Sequence, residues 1–305
     1  YWEKIAPSHE LRLGFRKVFW GVTESQHLVD IINQTDLVEN IDTEDKLGQP
    51  MLNFAWINDW GAISFFAMPY FRERTFPGPV GRLRPNIPIE TDAAEFESDA
   101  EQWHPDFAVR FNRSAGSWDF GLSQFYGTSR EPRLLPRLEG LSLELTAYYD
   151  IIHQSGVDIQ RTKGGWLWKF EGIHRSGQER TFTAITAGFE YTFYGVFGSA
   201  VDVGLLSEYL WDSRGRSAPR TPFDDDIFVG TRITFNDTQD TNLLAGVIVD
   251  SNTGAAAWSV EGFRQIGESL RLSAEARLFT GVPPTDPVYT LRKDDYVQVE
   301  LAWYF

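Results

Sequence analysis

The sequence predicts an all-β protein, a single transmembrane up-and-down antiparallel β-barrel of about 14 strands over residues 1–305. Three observations predict it. From Asp295 to Phe305 the chain puts Val297, Val299, Leu301, Trp303 and Phe305 on one face, and Tyr296, Gln298, Glu300, Ala302 and Tyr304 on the other. A strand with one lipid-facing surface requires that alternation. Segments of the same half-apolar kind recur along the chain, each near the roughly ten residues that a tilted strand needs to cross a bilayer. The connections between them alternate short and long, as they do between the two sides of a membrane barrel.

Taken in order, strands are predicted at 11–18, 52–57 and 63–71, the last two joined by a turn at 58–60. Strands 107–112 and 118–126 flank the turn 114–117, and strands 156–162 and 166–174 flank 163–165. Strands 182–193 and 201–212 flank 194–199, and 227–235 and 242–250 flank 236–240. Strands 256–264 and 270–279 flank 265–269, and 296–305 is the last. The turns are rich in Gly, Asn, Asp and Ser, as hairpin turns are. The opposite side receives the long connections 19–51, 72–106 and 129–155, expected to be extracellular, together with 213–226, 280–295 and two short ones at 175–181 and 251–255. A soluble sandwich or propeller also alternates, but no repeat of about 40 residues marks propeller blades.

Composition fits this reading and narrows the partners. No stretch reaches the roughly 18 consecutive apolar residues of a spanning helix, which a barrel does not need because only alternate residues meet lipid. Eleven Trp and eleven Tyr are available for interfacial belts. Cysteine is absent, which excludes disulfides and thiolate metal sites. The formal charge of −15 argues against a nucleic-acid partner. The chain starts at Tyr1, without a basic and apolar leader, so a signal peptide has been removed or the sequence is a fragment.

If the apolar register faces lipid, the opposite register lines the lumen. That parity selects Arg12, Arg16, Arg110, Asp158, Gln160, Lys169, Glu171, Glu190, Asp202, Glu208, Arg232, Glu261, Arg271, Glu275, Arg277 and Glu300. Both signs are present. They serve as a selectivity lining or as cross-strand ion pairs that fill a narrow interior. Leu28, Ile31, Ile32 and Thr35 lie at helical spacing, with Thr23 or Ser25 able to cap. A short helix or ordered loop folded into the mouth, or an external loop packed on the rim, would satisfy that pattern. The loop from Arg72 to Pro105 begins basic and proline-rich and turns acidic after Glu90. Asp224, Asp225 and Asp226 lack the spaced ligands of a calcium loop, so no metal is expected. His9, His27, His104, His153 and His174 form no catalytic or ligand spacing, so no enzyme activity is expected.

Several passages resemble Gram-negative outer-membrane β-barrel proteins of the porin superfamily: Arg16 to Glu24 with Asp30 and Asn33, Gly165 to Glu171, Gly188 to Phe193, and Arg232 to Asp237. The Lys17-Val-Phe-Trp-Gly21 stretch is similar to the strand-then-loop segment of the uncharacterised DUF1302-like family, and the aromatic carboxy-terminus resembles a barrel assembly signal. In such relatives the segment follows earlier strands; if those are missing here, the strand count is low by an even number. The resemblance implies a bacterial outer-membrane location, with lipid, lipopolysaccharide and the barrel assembly machinery as partners. The expected function is a porin-like channel for passive diffusion of small solutes, which needs no cofactor. The alternative is a plugged structural or scaffold barrel that anchors a periplasmic or extracellular partner, and a protein partner or a homo-oligomer is among the expected associations.

Overall fold

The computed structural model describes residues 1–305 apart from the side chain of Glu139. Eighteen strands form in chain order. They are β1 (Trp2–Ala6), β2 (His9–Arg16), β3 (Gln49–Asn58), β4 (Gly61–Met68), β5 (Ile89–Phe96), β6 (Asp106–Ala115), β7 (Trp118–Thr128), β8 (Arg133–Glu139) and β9 (Ser142–Tyr149). Next come β10 (Ile151–Lys163), β11 (Trp166–Ser176), β12 (Phe182–Phe193), β13 (Asp202–Asp212), β14 (Asp225–Thr234), β15 (Asn242–Asp250), β16 (Ala256–Ile266), β17 (Leu270–Thr280) and β18 (Tyr296–Trp303).

Fifteen of these make one antiparallel sheet in the order β1-β2-β3-β4-β6-β7-β10 and onward consecutively to β18. The sheet is not closed, and β1 and β18 are its edges. Connections on one side are short, at 7–8, 59–60, 116–117, 164–165, 194–201, 235–241 and 267–269. The other side carries 17–48, 69–105, 129–150, 177–181, 213–224, 251–255 and 281–295. Each connection falls on the side predicted for it, although 194–201 and 235–241 are longer than 177–181 and 251–255 on the other side.

Burial alternates with the strand period, as one covered and one uncovered face demand. In β13, Leu206, Glu208, Leu210 and Asp212 are buried while Leu205, Tyr209 and Trp211 are exposed. In β3, Met51, Asn53 and Ala55 are buried while Leu52, Phe54 and Trp56 are exposed. The inner face encloses the segment 17–48, whose side chains touch β11, β14 and β17 in turn. Trp20, Leu28, Val29, Ile31 and Ile32 of this segment pack with Met51, Phe66, Met68, Phe125, Ile152 and Ile173 of the wall into one buried cluster. Each such side chain stabilises the fold by roughly 1.5–3 kcal/mol relative to exposure.

Three expectations are corrected. The main sheet has 15 strands, not about 14, because Trp2–Ala6 pairs with β2 across the turn at 7–8. The segments 72–106 and 129–155 are not simple loops. They carry β5, β8 and β9, a separate sheet in which β5 pairs parallel to β9, over a core of Phe71, Ala147 and Tyr149. Residues 28–35 form no helix; Thr35 instead makes an isolated bridge to Lys46. The physical reason is that this segment is buried all round, so no single apolar stripe is selected. Its backbone groups are taken by surrounding side chains: Arg130, in the connection after β7, donates to the Ile32 carbonyl at 2.9 Å, and the Val29 amide donates to Glu171 on the wall at 3.1 Å.

Candidate functional site: a charged inner face and an inward loop

Glu171 on β11 is fully buried, and four donors from the inward loop converge on it. The amides of Val22 and Thr23 and the Thr23 hydroxyl reach Oε1 at 2.6, 3.0 and 2.7 Å, and Val29 reaches Oε2. Glu208 on β13 repeats the arrangement. It accepts from the amides of Glu24 and Ser25, both at 2.8 Å, and from the Ser25 hydroxyl at 2.6 Å. Two wall carboxylates on β11 and β13, with β12 between them, thus hold one tight loop segment through charge-assisted bonds, each worth roughly 1.5–3 kcal/mol.

Glu24 then turns back to the wall. It pairs with Arg232 at 2.6 Å and Lys169 at 3.3 Å, and Arg232 also lies 3.6 Å from Glu190. Burial opposes ionisation of Glu24, but Lys169 and Arg232 outweigh it and hold the carboxyl below the usual glutamate range. Further along, Asn40 donates to Glu275 at 3.1 Å and Asp42 pairs with Arg277 at 2.9 Å. Arg277 also meets Glu275 at 2.7 Å and Glu261 at 3.6 Å, while the Tyr296 hydroxyl donates to Glu275. The loop therefore reaches from β11 to β18 across the enclosed space.

Of the residues predicted from parity, Lys169, Glu171, Glu190, Glu208, Arg232, Glu261, Glu275 and Arg277 come together around this loop. Arg110 and Asp158 form their own buried pair at 2.8 Å over Gly121. A Cβ on Gly121 would collide with both charged groups, so only glycine lets the pair close there. Arg271 stands apart with its guanidinium 4.0 Å from the centre of the Phe263 ring. Arg12 pairs with Glu3 and Glu10 near the β1 edge, Arg16 donates to Asn53, and Asp202 accepts from Gly195 and Asn236 at a short turn. Arg12 and Asp202 make no contact with the loop, whereas the Arg16 carbonyl, at the loop's start, accepts from Asn33 at 2.9 Å.

Parity missed a second charged cluster. Glu131 sits between Arg175 at 2.8 Å and Arg214 at 3.0 Å. Burial raises its pKa, but Arg175, Arg214 and Arg74 together hold the carboxyl far below the ordinary range. Arg130 joins Asp106 at 2.6 Å and the loop carbonyl of Ile32. Arg175 continues the odd-numbered register of Lys169 and Glu171, so extending that parity by two strand periods would have found it. Glu131 and Arg130 lie in a connection, where no periodicity marks a direction.

The enclosed space is filled unevenly. Next to β3–β12 it holds the apolar cluster around Ile32 and the buried ion pairs. Along β14–β18 a cavity of about 240 Å³ remains, lined by Arg232, Glu261, Phe263, Arg271, Glu275, Gln298 and Glu300 among others. Among the described residues, no group of three or more His, Cys, Asp or Glu could hold a metal ion. No protein-family model matches this chain, and no curated protein sequence matches it significantly.

Proposed function

We propose that the chain is an outer-membrane β-barrel channel that lets small polar solutes diffuse past the inward loop along the β14–β18 wall. One observation carries this reading: the sheet has two opposite faces. Its outer face exposes Leu52, Phe54, Phe65, Phe107, Leu122, Trp168, Leu205, Val229, Trp258, Val260 and Leu278, spread over nine of its strands. Its inner face carries the buried charges of both signs described above. An apolar band of this extent is costly in water and expected in lipid, where an interior of polar residues surrounds the solute path. Unpaired backbone is not tolerated in hydrocarbon, so the proposal requires the edges β1 and β18 to be covered in the membrane.

Selectivity in this reading comes from Arg232 and Arg271, which line the remaining opening together with Glu261, Glu275 and Glu300. The test is single-channel conductance in a planar bilayer under a salt gradient. Steady, ion-selective openings support a channel; silence from correctly inserted protein overturns it. A second reading, a sealed barrel that anchors a partner, is favoured by the apolar packing of Val29, Ile31 and Ile32 against the wall. It predicts that silence.

A further inference from the structure

Five charged side chains line the cavity along β14–β18, and three of them are already matched. Arg232 pairs with Glu24 and Glu190, Glu275 with Arg277 and the Tyr296 hydroxyl, and Glu261 with Arg277. Arg271 and Glu300 remain, one of each sign. Among the described residues, neither has an ion-pair or side-chain hydrogen-bond partner.

Their places follow from the register of the sheet. Asn242, Phe263, Ser273 and Glu300 form one row across β15, β16, β17 and β18. Arg271 lies on β17 two residues before Ser273 and level with Ala302 of β18, so Arg271 and Glu300 are diagonal neighbours. Such neighbours stand roughly 7–8 Å apart at the backbone, within reach of long side chains. These two do not meet, because Arg271 leans the other way. Its guanidinium lies over the Phe263 ring of β16, 4.0 Å from the ring centre, where a cation is attracted to the aromatic face. A held cation and a carboxylate thus flank Ser273 without neutralising each other.

We propose that this part of the cavity binds a free α-amino acid, with its carboxylate on Arg271 and its ammonium on Glu300. The inference rests on the solute-channel reading above and deepens it by naming the solute class. A guanidinium offers two parallel N–H groups to a carboxylate, and an ammonium donates to carboxylate oxygens. A dicarboxylate would find no second free cation in the lining and would be repelled by Glu261, Glu275 and Glu300. A diamine meets the converse conflict at Arg271. A sugar or aromatic ring finds the Phe263 face already covered by the guanidinium. The cavity, at about 240 Å³, falls below the 300–1,000 Å³ typical of small-molecule sites, which suits a solute smaller than most ligands.

The experiment titrates three matched solutes, L-alanine, propionate and ethylamine, against the full chain in lipid vesicles, with binding read on their methyl signals by saturation-transfer difference NMR. Propionate is alanine without its ammonium, and ethylamine is alanine without its carboxylate. Alanine should bind about tenfold more tightly than either, because each analogue forgoes one ion pair. Arg271→Gln should weaken alanine about tenfold and leave ethylamine no weaker, and Glu300→Gln should weaken alanine equally and leave propionate no weaker. Arg113→Gln, at an exposed position on β6, should alter none of the three. Alanine binding no tighter than the analogues, or unaffected by both cavity substitutions, would overturn the site. Current through the same protein in a planar bilayer separates the two readings. Conducting protein without a preference for alanine would remove the site and retain the channel, whereas silent protein that binds alanine in the stated pattern would retain the site and remove the channel.

Discussion

Glu171 accepts hydrogen bonds at one carboxylate oxygen from both the amide and the hydroxyl of Thr23, at 3.0 and 2.7 Å, across 148 residues of sequence. The loop is thereby fastened by its backbone to a fixed anion on the wall. Replacement of a loop side chain leaves most of that fastening in place, whereas replacement of the anion removes it at one stroke.

Glu171→Ala should therefore release the segment around Val22 to Val29. Each amide left without an acceptor in a dry site costs about 1–3 kcal/mol, less wherever water enters. The expected outcome is faster proteolytic cleavage within 21–30 and larger, noisier conductance. Unchanged cleavage and conductance would mean that the apolar packing of Ile31 and Ile32 alone holds the loop.

Arg271 has no carboxylate within ion-pair distance among the described residues, so its charge is free to act on a passing solute. Neutralising it with Arg271→Gln should shift the reversal potential in a salt gradient toward cations. A shift of up to about fivefold in permeability ratio corresponds to the roughly 1 kcal/mol that a unit charge contributes at close range in water. No shift would place Arg271 outside the conducting path.

Glu24 carries the clearest pH dependence. Its folded pKa is depressed, mainly by Lys169 and Arg232 acting against burial. Such a group contributes stability that is present above the unfolded value, about 4.3, and is lost as pH falls through the still lower folded value. Loop protection against proteolysis should thus persist from neutral pH down through the ordinary glutamate range, then fail in stronger acid. In Glu24→Gln this acid step should vanish. Loosening already in the histidine range would assign the control to another group.

On the outer face, Val299 and Leu301 are 65% and 60% exposed on β18. Val299→Arg or Leu301→Arg should impair insertion by roughly 2–4 kcal/mol near the bilayer midplane, measured by folding into vesicles against urea. A neutral result at both positions would argue that this face does not meet lipid.

The alternation of Leu205, Tyr209 and Trp211 with Leu206, Glu208 and Leu210 was legible without coordinates, because successive strand side chains must point to opposite faces. The same rule placed Lys169, Glu171, Glu190 and Arg232 on one side. It failed where chain and period part company. Trp2–Ala6 is short, and its register emerges only from pairing with β2. Residues 133–149 form a hairpin outside the main sheet, which neither composition nor spacing distinguishes from a loop.

By itself, the sequence determined the all-β class, the hairpin order, the short and long connections and the two faces of the sheet. These follow from local chain geometry and the period of two. Only the tertiary structure decided that 17–48 turns inward without forming a helix, that Glu171 and Glu208 hold it, and that the remaining opening lies along β14–β18. The physical reason is that carboxylates far apart in sequence accept backbone amides, and an amide's partner is set by what the fold brings near. No residue type or spacing in 17–48 encodes that neighbour.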